Sequence, residues 1–80
     1  MIRVKVLYFA SLRDAAGRAD ETVESNVCDL RRLYDELRGR YGFVLPVDRL
    51  RVAVDGAFAD WDDALREGSE VAFIPPVSGG

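Results

Sequence analysis

The sequence contains no histidine, and it has a single cysteine, Cys28. Without histidine the commonest general base, zinc ligand and catalytic-triad partner are missing together. One cysteine excludes an internal disulfide and any cysteine-cluster metal site. Long hydrophobic runs are absent too: none approaches the roughly 20 residues that cross a bilayer as a helix. Met1-Ile2-Arg3-Val4-Lys5-Val6 alternates charge with apolar residues and offers no signal-peptide core. The expectation is a cytoplasmic protein with no membrane role. There is no basic excess either; net charge is −3, which argues against a nucleic-acid partner.

What is present is an ordinary globular mixture, 49% hydrophobic and 31% charged, so the chain is expected to fold and not to stay disordered. Eighty residues make one domain, near the lower end of what folds without disulfides or metal. Charge is unevenly spread. Residues 52–80 carry six acids against Arg66 alone, whereas residues 31–51 carry six arginines against three acids. An acidic C-terminal third suits a partner with a basic docking surface, although a solvated acidic face is an equal reading.

Alternation places Ile2, Val4, Val6 and Tyr8 on one face of a strand spanning Met1–Ala10. On its other face Leu7 and Phe9 are apolar where polar residues are expected; burial at that end or an exposed partner patch would explain them. Ser11–Arg18 is predicted to be a loop, and Glu21–Ser25 a short strand. Val27, Leu30, Leu33, Tyr34, Leu37 and Tyr41 form one apolar stripe, predicting a buried helix of about four turns. Asn26 is the expected N-cap with Asp29 three residues on, and Gly39 or Gly42 the expected C-cap. Leu50–Asp55 alternates again, Asp55-Gly56 signals a hairpin, and a short strand at Ala57–Ala59 follows. Asp60–Leu65 reads as one helical turn with Trp61 and Leu65 inward, and Glu70–Ile74 as the last strand. Placing the first and last strands side by side and parallel, with the helix across one face, gives an α+β, ubiquitin-like β-grasp fold with a mixed sheet. Ile2, Val4, Val6, Leu30, Leu33, Leu37, Val52, Val54, Val71 and Phe73 are its expected core.

Sites for chemistry are few. Cys28 falls in the first helical turn, where the dipole lowers a thiol's pKa, but it has no resolving partner or base. Asp60, Asp62 and Asp63 lack the ligand count and spacing of a metal loop and read as caps, so no metal site is expected. Arg31, Arg32, Arg38 and Arg40, interleaved with Asp35 and Glu36, read as a solvated helix face. The one unusual feature is the end, Pro75-Pro76-Val77-Ser78-Gly79-Gly80. The prolines cannot extend a strand ladder and favour an extended path. Six extended residues reach on the order of 20 Å, and Gly79 and Gly80, lacking Cβ atoms, fit a narrow channel. The expected organisation is a globular domain over 1–74 and a flexible tail over 75–80. A frayed terminus is the plain alternative.

The chain resembles the ubiquitin-like sulfur carrier proteins, and among them the family of molybdopterin synthase small subunits. The resemblance runs over essentially the whole length. It is carried by Leu7-Tyr8-Phe9-Ala10, Val27-Cys28-Asp29-Leu30, Val52-Ala53-Val54-Asp55-Gly56 and, above all, Glu70 through Gly80. Asp55 and Ser69 depart from residues common in the family, both at turns. The resemblance implies a non-catalytic, sulfur-donating subunit that binds no cofactor. The resemblance also implies that a ubiquitin-activating-type enzyme uses ATP to adenylate the Gly80 carboxylate, and that a sulfur donor protein supplies sulfur to make a C-terminal thiocarboxylate. The tail, Pro75 to Gly79, then inserts into the synthase large subunit, and sulfur passes to a cyclic pyranopterin precursor in a two-large, two-small complex. By strand parity Phe9, Phe58 and Ile74 share the face away from the helix, where they are expected to form the docking patch for both partners; closing the sheet edge is the alternative. A carrier for another pathway such as thiamine synthesis, a ubiquitin-like modifier, and a plain binding module are the rival functions.

Overall fold

The computed structural model describes residues 1–76. Five strands form one mixed sheet: β1 (Ile2–Tyr8), β2 (Asp20–Ser25), β3 (Arg51–Val54), β4 (Ala57–Ala59) and β5 (Glu70–Ile74). They lie in the order β2-β1-β5-β3-β4. The first and last strands pair in parallel at the centre, Val6 opposite Val71 and Tyr8 opposite Phe73. Every other pairing is antiparallel. Asp55 and Gly56 both take positive φ, 51° and 87°, as a type I′ hairpin turn requires. This is the expected β-grasp arrangement.

Two α-helices, α1 (Ala10–Ala16) and α2 (Leu30–Tyr41), and one 3-10 turn, Val47–Arg49, lie among these strands. The sequence predicts a loop where α1 stands. Ala10, Ala15 and Ala16 favour helix, Leu12 is its one buried residue, and Gly17 closes it at φ 74° by donating to Arg13 O. Seven residues are too few to show an apolar stripe, which is why the segment reads as a loop. Ala10 enters the helix at φ 50°, in the left-handed region that costs a residue with a Cβ about 1 kcal/mol. This tight corner leaves Phe9 extended, in step with β1.

Helix α2 starts later than the expected Val27. Its N-cap is Asp29, not Asn26, and the Asp29 carboxylate accepts the Arg32 N–H at 2.8 Å. The reason lies far along the chain. Residues 61–65 run against the helix start: Trp61 O accepts from Arg31 N–H and Asp63 O from Leu30 N–H, while Leu65 N–H donates to Cys28 O. Those carbonyls satisfy the N–H groups that a helix start leaves orphaned. They are therefore unavailable for the helical turn predicted over Asp60–Leu65, which forms a non-helical loop. Cys28 accordingly lies before the helix, exposed, and not within its first turn. Gly42, at φ 73°, is the C-cap.

The face of α2 carrying Leu30, Leu33, Tyr34 and Leu37 packs against Val4, Val6, Tyr8, Val52, Val71 and Phe73. Of the expected core, Ile2 and Val54 are only partly buried, while Leu12, Val23, Phe43, Leu50 and Leu65 join it. Aromatic rings fill the centre: Trp61 stacks on Phe73 at 5.9 Å, and Tyr34 meets Phe73 edge-on at 5.3 Å.

One polar cluster closes the other end of the core. The Tyr8 and Tyr41 hydroxyls both donate to Glu21 Oε2 at 2.5 Å, and Arg18 lies 3.4 Å from Oε1. Burial pushes the Tyr8, Tyr34 and Tyr41 hydroxyls up from their ordinary value of 10, and the Glu21 carboxylate reinforces this at Tyr8 and Tyr41. Burial alone would raise the Glu21 carboxyl, but the two hydroxyls, with Arg18 and Arg40, bring it below 4.5. A raised tyrosine stabilises the fold fully below its unfolded value near 10 and loses that contribution as pH climbs through the folded value. The lowered Glu21 stabilises above about 4.5 and loses its contribution as pH falls through its folded value. The expected result of an alkaline titration is that ultraviolet tyrosinate absorbance stays low at pH 10 and rises together with loss of circular dichroism. Half-ionisation near pH 10 with the fold intact would contradict this packing.

Candidate functional site

Among the described residues the sheet face opposite α2 is left uncovered, and strand parity decides what it shows. Across it Leu7 opposes Ala72, Ala72 opposes Ala53, and Ala53 opposes Phe58. Arg51 opposes Ile74. Two alanines at the middle of this row make a low floor, and the larger Leu7, Phe9, Phe58 and Ile74 stand round it. Together with Gly56 and Glu70 they line a shallow, largely apolar groove of about 270 Å³. Phe9 is 45% exposed and Phe58 68%, high values for rings on a face of ordered strands. Toward Arg3, Lys5, Thr22 and Glu24 the same face turns polar. The apolar half is therefore a bounded patch.

Its position matters because β5 leads directly out of it. The strand ends at Ile74, as two prolines require, with Pro75 half-buried and Pro76 exposed. Two further hollows flank this exit: one of about 600 Å³ between Phe9, Leu45 and the prolines, the other of about 440 Å³ with Arg49, Arg51 and Phe58. Ile74 lines both of them and the groove.

The three residues expected in a patch, Phe9, Phe58 and Ile74, are thus brought together on one face. Sequence reasoning passed over Ala53, Ala72 and Arg51. The two alanines are visible as small residues at the right parity, but only the register shows that they face each other. The guanidinium carbon of Arg51 stands 5.2 Å from the centre of the Phe58 ring, a cation–π contact between neighbouring strands. The remaining candidates lie elsewhere. Arg32 Nη1 is 3.7 Å from the Cys28 sulfur. Asp62 pairs with Arg31, and Asp63 accepts the Asp60 N–H within its turn. Arg32 pairs with Asp29, Arg40 with Glu36, and Arg38 donates to Phe43 O. Val77, Ser78, Gly79 and Gly80 lie outside the described residues.

The model of the ThiS family matches residues 6–80. The chain belongs to the ThiS family. That match takes in the whole patch, Phe9 through Ile74, and runs on through Gly79 and Gly80. Among ThiS-like relatives, the molybdopterin synthase sulfur carrier subunit of Mycobacterium tuberculosis is 37% identical, aligned over all of both chains. A Pyrococcus furiosus protein assigned as a candidate molybdopterin converting factor subunit 1 superimposes with TM-score 0.80 at 31% identity, covering 96% of this chain and all of that one. SAMP1 of Haloferax volcanii superimposes equally well, TM-score 0.80 at 27% identity, covering 98% and 99%. A Helicobacter pylori complex of subunits 1 and 2 of the molybdopterin-converting factor contains the same fold, with TM-score 0.70 at 22% identity, covering 99% and 100%. No described helix of this ThiS-family chain is long and apolar enough to cross a membrane.

Proposed function

We propose that this chain is the sulfur carrier subunit of molybdopterin synthase. The observation that carries the reading is the end-to-end match, at 37% identity, to a curated carrier subunit. The exposed apolar groove beside the exit of the tail supports it. In this reading the β-grasp domain is the handle and the Gly80 carboxylate is the group that reacts. An adenylating enzyme of the ubiquitin-activating type joins that carboxylate to AMP and releases pyrophosphate. Sulfide-level sulfur from a donor protein then displaces AMP, and a thiocarboxylate remains. The Phe9–Phe58–Ile74 patch seats the large subunit, named by analogy with the two-subunit complex in H. pylori. Pro75 and Pro76 point the tail into that subunit, whose site delivers the sulfur to a cyclic pyranopterin precursor. Pre-setting two backbone angles lowers the ordering cost, about 1–2 kcal/mol for each flexible residue fixed.

A second reading has an observation of its own: SAMP1 takes its name from the small archaeal modifier proteins. One experiment separates the two. The thiocarboxylate form is mixed with the large subunit and the precursor, and the masses of all chains are followed. Return of the chain to its unloaded mass, as dithiolene product appears, is expected. Retention of the sulfur, or amide conjugates on lysines in place of product, would overturn the carrier reading.

A further inference from the structure

The apolar groove has a cation built into its edge. Arg51 and Ile74 are opposed across β3 and β5, so they share the open face. The Arg51 guanidinium is held over the exposed Phe58 ring. Arg31, Arg32 and Arg40 pair with carboxylates at 3.3, 3.8 and 3.5 Å, whereas Arg49, in the same hollow as Arg51, pairs with none among the described residues; what sets Arg51 apart is its seat over an exposed ring. Among the described residues Arg51 makes no ion pair. Asp48 lines the adjoining hollow with it, yet lies beyond ion-pair distance.

A partner that covers Phe58 and Ile74 must also take water from this guanidinium. Removing water from an unpaired charge opposes binding strongly, and a purely apolar partner returns nothing for it. A carboxylate at that point reverses the balance. An arginine seated over a ring is already partly held in place, which lowers the ordering cost, and its planar N–H fork suits a carboxylate. We propose that Arg51 selects the partner of this face: the docking protein presents an aspartate or glutamate, flanked by apolar side chains, to the Arg51–Phe58 pair. The proposal rests on the carrier reading, in which that protein is the large subunit.

The test is titration calorimetry of the full chain against the large subunit, at low and high salt. Wild type, Arg51→Leu, Arg51→Lys and Arg51→Glu are compared, with circular dichroism of each. Wild-type affinity is expected to fall with salt. Arg51→Leu is expected to bind about 10- to 100-fold more weakly and to lose most of that salt dependence. Arg51→Lys should keep the salt dependence at reduced affinity, and Arg51→Glu should bind worst and improve as salt rises. Should Arg51→Leu fail to fold, the lysine and glutamate variants decide by the same criteria. Equal or tighter binding by Arg51→Leu overturns the proposal, because the face would then take a partner without a carboxylate. So does weaker binding with unchanged salt dependence, which would assign the loss to packing on Phe58. Self-association of free wild type that Arg51→Leu abolishes would give the guanidinium to a second copy, and also overturns it. A wild-type chain that does not bind the large subunit at all overturns the carrier reading itself.

Discussion

Adding one residue after Gly80 is expected to reduce sulfur loading and sulfur transfer to background. The effect has two physical sources. The Gly80 carboxylate becomes a peptide amide, which has no ionised oxygen to attack a nucleotide phosphate. The new carboxylate is displaced by about 3.5 Å, and misplacement by even 1 Å costs a reaction on the order of 100-fold. An added side chain also brings a Cβ where Gly79 and Gly80 have none. Removing Gly79 and Gly80 should be equally severe, since the acyl group would then fall short of the partner's site. Neither change touches the core, whose buried residues end at Phe73, so the thermal melt of both variants should match wild type. Full activity of either would show that the tail is incidental and the chain a plain binding module.

Replacing Phe9 with Asp is expected to abolish binding to the large subunit without unfolding the chain. Phe9 is nearly half exposed and contributes no buried packing to the α2 side of the sheet. Its carboxylate replacement stays hydrated in the free chain and loses that water in the complex, beside a largely apolar groove whose one charged lining residue, Glu70, repels it. Phe58→Ala, at the more exposed ring, removes contact area and the surface on which Arg51 rests. Interface anchors of this kind cost about 2–4 kcal/mol on truncation, or roughly 30- to 1,000-fold in affinity. Calorimetric titration with circular dichroism of each variant checks both points. Unchanged affinity would remove the patch from the interface. A lost far-ultraviolet spectrum for Phe9→Asp would make Phe9 a core residue closing the sheet edge.

Much of this architecture is legible in the sequence, because its main elements are set by short-range patterns. Period-two alternation in Ile2–Tyr8, the Leu30–Leu37 stripe, the Asp55-Gly56 turn and the Pro75-Pro76 stop each depend on neighbouring residues. The patch is legible for the same reason, since parity alone turns Leu7 and Phe9 away from Val6 and Tyr8. The parts that differ from the sequence expectation depend on partners distant in sequence. Asn26 and Asp29 are both good caps, and the choice between them is made by residues 61–65 against the helix start. The meeting of Tyr8, Tyr41 and Glu21 requires three separate elements to converge. Arg51 looks like a polar strand residue until the β3–β4 register sets Phe58 beside it. Helix α1 is the exception: it is local, but too short for its single buried leucine to make a pattern.

The central claim is that Gly80 carries sulfur as a thiocarboxylate, and its most direct test is the intact mass of this chain. The chain is incubated with ATP, an adenylating enzyme proven competent on another carrier, and a sulfide source. The account predicts a gain equal to the exchange of one oxygen for sulfur, confined to the C-terminal peptide and absent when ATP is withheld. An unchanged mass under those conditions would contradict it.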